Sequence, residues 1–273
     1  MTARSSIGQT ARVGGAAARY NLQIAIHYRA NAVIWFVASL LQIVVALSVW
    51  RAVAAANGGS AGGLDGREFA GYFLVLMVVQ DLTHTQLPYT LPWQVRTGAL
   101  SSRLLRPVHP LFYYRCGEFG FTAQRMLLLI PAAAMLFFVY DARLDLTLGG
   151  AGIGLIALLM AMVVRTLLEA LVGMTALWLV RIDGFHGLYM VVMLFLGGQF
   201  APLSVLPEPM QVAAKALPFW WTMGYPTELL AGTSDLSTAW VGLFVLLAWS
   251  VVLLTAVRHV WRRGTTALEA VGS

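Results

Sequence analysis

The stretch Leu87-Pro-Tyr-Thr-Leu-Pro92-Trp-Gln-Val-Arg96-Thr-Gly98-Ala-Leu100-Ser-Ser-Arg103-Leu104-Leu105-Arg106-Pro107-Val-His109-Pro110 parts the long apolar segments of the chain. Carried on to Arg115, it holds Arg96, Arg103, Arg106 and Arg115 and no acid. Its prolines and Gly98 mark a connection between crossings, and its charge marks the side, because Lys and Arg near span ends gather on the cytoplasmic face.

Working outward, the composition places the chain in a membrane. Of 273 residues, 59% are apolar and 11% charged, and the mean hydropathy of +0.75 lies outside the range of soluble domains. Uncharged runs at Ala30–Trp50, Leu146–Val164, Gly184–Pro207 and Leu236–Val257 each come close to the ~20 residues that cross the hydrocarbon. Phe69–Leu87 and a segment ending at Tyr140 add two more. The fold class expected is therefore an all-α membrane protein with six transmembrane helices. Ala54–Ala56 faintly resembles a signal-peptidase site, but the run before it is long and is read as a retained span.

A formal net charge of +6 would point to nucleic acid in a soluble domain, so its distribution decides its meaning. With the N-terminus inside, Arg4, Arg12, Arg19, Arg29, the arginines of the central connection, Arg181, Arg258, Arg262 and Arg263 are cytoplasmic. Asp65, Glu68, Asp141, Asp145, Glu208, Glu228 and Asp235 fall on the outer side. Six spans with both termini cytoplasmic satisfy this bias, and no nucleic-acid partner is needed to explain it. A single cysteine, Cys116, excludes an intrachain disulfide.

The organisation expected is a cytoplasmic tail and interfacial helix over 1–29, a six-helix domain over 30–263 and a cytoplasmic tail over 264–273. Ala16–Arg29 is read as the interfacial helix, lying on the inner leaflet with Arg19 and Arg29 snorkelling. Between spans 5 and 6, prolines 202, 207, 209, 218 and 226 divide runs too short to cross. These pieces read as an outer re-entrant helical hairpin, with Phe219, Trp220, Trp221 and Tyr225 at headgroup depth.

Ionisable residues inside the spans are the candidates for chemistry. Asp81 and His84 share a helical face near the inner end of span 2, as do Glu118 and Arg125 in span 3. Arg165 and Glu169 stand four apart in span 4. These groups form either structural pairs, with Asp81 and His84 hydrogen-bonded near Arg115 or Arg125, or a proton path, and Asp81 with His84 could also make a metal pair. Aromatic and amide side chains at Trp35, Gln42, Gln80, Phe195 and Gln199 are candidates for a substrate path. No HExxH, CxxC or Gly-x-Ser-x-Gly occurs, and the one lysine, Lys215, follows alanine, so the Gly-Lys pair of a phosphate-binding loop is missing. If transport is driven by ATP, another polypeptide hydrolyses it.

Over essentially its whole length the chain resembles the permease subunits of ABC-2 type export systems. The features that carry the resemblance are the six-span pattern, Gly98-x-Leu100 followed by Leu104-Leu105-Arg106-Pro107, and the outer Leu217-Pro218-Phe219 and Tyr225-Pro226. The resemblance implies a permease working with separate cytoplasmic ABC ATPase subunits, which hold the ATP and Mg, and with a second permease, self or paralogue, in the plasma membrane. It implies a coupling helix over Arg96–Leu105 that includes Gly98 and Leu105, with Ala99, Leu100 and Leu104 as an apolar strip and Arg96, Arg103 and Arg106 reaching acids or lipid phosphates. Met210–Glu228 becomes the outer gate, and the cargo an amphipathic or hydrophobic molecule moved outward. The competing function is a proton-coupled secondary transporter working through Asp81, His84, Arg165 and Glu169.

Overall fold

The computed structural model describes the backbone of residues 7–27, 29–179 and 181–271, and the side chains of residues 8–27, 33–179 and 181–266. Arg4, Tyr28, the Arg29 side chain, Val180 and the last two residues of the expected C-terminal tail lie outside that set. The helices are α1 (Ile7–His27), α2 (Arg29–Ala56), α3 (Gly66–Thr83), α4 (Leu87–Arg96), α5 (Ala99–Leu104), α6 (Pro110–Val139), α7 (Leu148–Met174), α8 (Asp183–Leu196), α9 (Glu208–Ala216), α10 (Pro218–Thr222), α11 (Gly224–Ala231) and α12 (Ala239–Val271). A short antiparallel pair, Ser60–Ala61 with Leu64–Asp65, tightens the turn after α2.

Among the described residues, Val33–Ala56, Pro110–Val139, Leu148–Leu177 and Ala239–Thr266 are long and apolar enough to cross a membrane. The two other expected spans are of a different kind. Helix α3 is 18 residues long and carries Arg67, Glu68 and Asp81; α8 has only 14 residues. Helix α3 is instead the bundle's central strut, with Phe69, Tyr72, Phe73 and Leu76 fully buried. Its start is fixed by a capping box, in which the Asp65 carboxylate accepts from the amides of Arg67 and Glu68 while Glu68 accepts from the Asp65 amide, an arrangement worth about 1 kcal/mol.

The connections gather at two ends. At one, Arg67 pairs with Asp141 at 2.9 Å, the Asp145 amide donates to Ala231 O, and Trp50 Nε1 donates to Phe200 O at 2.7 Å. At the other, Arg115 reaches the end of α3, Tyr89 of α4 meets His186 of α8, and His109 meets Trp261 of α12. Exposed apolar residues such as Ile34 and Leu41 on α2, Leu188 and Val191 on α8, and Val241 and Phe244 on α12 face outward, as an apolar solvent requires.

The segment between α8 and α12 dips into the bundle. Helices α10 and α11 meet at Met223, whose Sδ lies 2.8 Å from Arg165 Nη1, while the end of α11 returns to Asp145. Three of the four aromatic residues expected as a belt in this segment face into the bundle and not outward. Trp220, Trp221 and Tyr225 are buried, with ring centres 4.8 to 5.4 Å apart. Trp221 Nε1 donates to Lys215 O and Tyr225 Oη to Ala239 O. Packing among short helices outweighs the interfacial preference of these rings.

Helix α1 also departs from expectation. It runs alongside the first half of α6, Gly14 meeting Phe112 and Cys116, Asn21 meeting Gly117, and Ala18 and Leu22 meeting Gly120. Both helices advance in the same direction through these contacts, so α1, expected as a free surface helix, is packed along α6. Gly120 permits this: a Cβ there would run into the Ala18 and Leu22 backbones, the close approach that small residues allow between helices in lipid. A Cβ on Gly14 would stand 2.9 Å from Cys116 Sγ, within disulfide reach. We predict that Gly14→Cys cross-links to Cys116 under mild oxidation in most molecules, detected by a diagnostic peptide in mass spectrometry. Adding Gly120→Leu is expected to cut that yield severalfold.

Candidate functional site

Helix α3 stops inside the bundle. After Thr83 the chain turns extended at His84 (φ −58°, ψ 146°), and Pro88 starts α4 two positions after Gln86, where a ring with fixed φ and no N–H fits. Such a break frees backbone groups that must find partners away from water. Charged side chains supply them. Arg115 donates to Leu82 O at 3.1 Å and His84 O at 3.3 Å, Glu169 Oε2 accepts from the Thr85 amide at 2.7 Å, and Glu118 Oε1 accepts from the Gln86 amide at 3.3 Å.

Glu169 and Arg165 form the centre of this junction. They are 1% and 2% exposed and paired Nε to Oε1 at 2.9 Å, one turn apart on α7. Tyr189 of α8 donates to the same Glu169 oxygen at 3.3 Å, and His84 Nδ1 lies 3.5 Å away. Arg165 Nη1 donates to Thr83 Oγ1 at 2.8 Å and to Gln80 O at 3.4 Å. Beside it, Arg125 Nε donates to Asp81 at 2.6 Å and Arg125 Nη2 to Thr122 at 3.2 Å.

The sequence-derived pairs are thus partly redrawn. Arg165 pairs with Glu169 and Arg125 finds its partner between helices, but Glu118 serves the backbone of Gln86 and not Arg125. His84 sits just beyond the helix on which it was expected to share a face with Asp81. Arg115, expected with Arg125 beside Asp81 and His84, reaches the His84 and Leu82 carbonyls, whereas Thr85, Tyr189 and Met223 belong to the junction with no signal in the sequence. The substrate-path candidates do not converge. Trp35 and Gln42 are exposed on α2 and Phe195 is 38% exposed on α8, whereas Gln80 and Gln199 border the Arg165–Met223 contact.

The central connection, expected to hold one helix over Arg96–Leu105, contains two. Helix α4 begins at Leu87, includes Pro92, and ends at Arg96; α5 is six residues long. Between them Gly98 takes φ 70°, a left-handed backbone that other residues resist, and it splits the stretch into an elbow. Leu87 and Leu91 of α4 pack on Gly173 of α7, where a Cβ would meet Leu87 O. Leu100, assigned to the apolar docking strip, is 1% exposed and therefore faces inward. Ala99 and Leu104 are half-buried, Arg103 turns onto Tyr113 and Tyr114, and Arg96, Gly98, Leu105 and Arg106 are exposed. Leu105 is 89% and Trp93 53% exposed, so these two supply the outward apolar surface of the elbow. At its far end His109 caps α6, Nδ1 accepting from the Leu111 amide at 3.3 Å; screening from water lowers the ring's pKa and keeps that nitrogen an acceptor.

Residues 33–272 match the family described as ABC-2 family transporter protein. The chain belongs to that family, and so is a membrane-embedded permease component of an ABC transporter, not its ATPase. No curated protein and no solved structure matches the chain.

The junction's energetics follow from its burial. Removing one partner of a buried ion pair leaves a charge without compensation, at about 3–5 kcal/mol, whereas replacing both by apolar residues is far less costly. Glu169→Ala and Arg165→Ala are each expected to lower stability by that order, and Arg165→Leu with Glu169→Leu to recover part of the loss. Thermal unfolding of the purified protein in one detergent measures both effects.

Proposed function

We propose that this chain is the permease subunit of an ATP-driven exporter that docks a cytoplasmic ABC ATPase on the elbow between α4 and α5. On this reading α3 and α8 complete six crossings, both termini are cytoplasmic, and the protein works in the plasma membrane as a dimer with itself or a paralogue. ATP and Mg belong to the ATPase. The cargo is an amphipathic or hydrophobic molecule moved outward, and the hairpin of α9, α10 and α11 gates its exit.

The observation that carries this proposal is the two-sidedness of the elbow. Its outer side offers Trp93, Arg96, Leu105 and Arg106 to an aqueous partner, an aromatic and aliphatic pair with arginines beside it, a common composition of binding hot spots. Its inner side is wedged on α7 through Leu87 and Leu91, a few residues beyond Thr85 and Glu169. A push on α4 therefore bears directly on the junction, and through Met223 on the hairpin.

A proton-coupled carrier would need Asp81, His84, Arg165 and Glu169 to exchange protons along a path. Asp81 and Glu169 are held by arginines, and Glu169 also by the Thr85 amide, which favours a structural assignment. Leu105→Asp and Trp93→Asp are each expected to weaken capture of the ATPase about tenfold or more and to lower ATP-dependent transport with it, while membrane insertion is unchanged. Capture by the tagged permease and transport in vesicles measure this. Wild-type capture by both variants, or transport driven by a proton gradient without ATP, would overturn the proposal.

A further inference from the structure

On the cytoplasmic side of the bundle, α1 and the start of α6 enclose a cleft of about 100 Å³ lined by Val13, Arg103, Arg106, Pro107, Val108 and Tyr113. Neither arginine has an acid within ion-pair distance among the described residues. The Arg103 guanidinium lies 4.2 Å from the centre of the Tyr113 ring and 5.9 Å from that of Tyr114, yet its Nη1 is buried and has no hydrogen-bond partner. The Tyr114 hydroxyl is in the same condition. A buried donor without an acceptor is costly, and more so when charged, so a site built this way calls for an anion. Both walls are free of acids: α1 has none, and the connection has none from Leu87 to Arg115.

The cleft's depth identifies the kind of anion. It lies at Pro110, where the apolar span of α6 starts, in the band that Tyr113, Tyr114 and Trp261 share with Arg258, Arg262 and Arg263 of α12. Aromatic and basic residues at one level mark the headgroup region. The remaining walls, Val13, Val108 and two prolines, are apolar and would suit the glycerol end of a lipid.

We propose that Arg103 and Arg106 form a phosphate-binding site between α1 and α6, suited to the headgroup of an anionic phospholipid. Arg103 supplies a planar guanidinium already steadied on Tyr113, the geometry that holds phosphate through paired N–H donors. Arg106 closes the open side. The site ties α1 to the elbow through its ligand; Leu105 and Trp93 are not among its lining residues, whereas Arg106 is shared with the proposed docking face, so the site is tested without the ATPase.

The test is native mass spectrometry of the full chain in detergent with dioleoyl phosphatidylglycerol, dioleoyl phosphatidylcholine or inorganic phosphate, no ATPase being present. Wild type is expected to retain one phosphatidylglycerol in preference to phosphatidylcholine. Arg103→Gln and Arg106→Gln are each expected to weaken retention about tenfold, Arg103→Lys to fall between, and Arg181→Gln to leave it unchanged. Displacement of the lipid by inorganic phosphate would assign the site to soluble phosphate; failure of phosphate to compete would assign it to lipid. Because Arg106 is exposed, its variant tests the site with the fold intact. Equal retention of the two lipids, or wild-type retention in both glutamine variants with no binding of inorganic phosphate, would overturn the proposal.

Discussion

A helix that ends inside an apolar bundle must find a new partner for every backbone group it frees, and the break after Thr83 sets this requirement for the whole protein. Hydrocarbon offers no hydrogen bonds in exchange, so the partners come from the chain itself. Arg115 and Glu118 reach in from α6, Arg165 and Glu169 from α7. Each carries a charge that would be expensive alone. The charges neutralise one another and satisfy the backbone together, which is why the junction holds several ionisable residues.

The position of that break gives the bundle its mechanical layout. Beyond the break the chain passes directly into α4, braced against Gly173, and then into the elbow at Gly98. On its other side Arg165 touches the lowest point of the hairpin. One compact cluster is therefore in contact with both the elbow and the segment between α8 and α12. Helix α1 adds a second brace, packed so closely on α6 that only glycine fits at position 120.

Much of this was legible in the sequence, and the rest was not for identifiable reasons. Membrane class follows from apolar run lengths, and the breaking of the segment between α8 and α12 into short helices follows from proline spacing. The pairing of Arg165 with Glu169 follows from a spacing of four on a helix. Charge alone could not say that Arg125 would choose Asp81 over Glu118, because that depends on how α3 and α6 are set side by side. Leu100 and Leu105 look alike in a sequence, yet one is buried in the first turn of α5 and the other is exposed at its C-cap, a difference made by where that short helix starts and stops. Trp220, Trp221 and Tyr225 matched the pattern of an interfacial belt; their burial depends on α7 and α12 leaving a space that short helices fill.

The contact at Met223 has a consequence for how the hairpin can leave its seat. Arg165 keeps Glu169, Thr83 and Gln80 as partners when the sulfur withdraws, so no cation is stranded by the departure. A thioether is a weak acceptor, and the barrier to uncoupling is set by packing more than by electrostatics. The latch between the two halves is thus soft at its tip and rigid at its root.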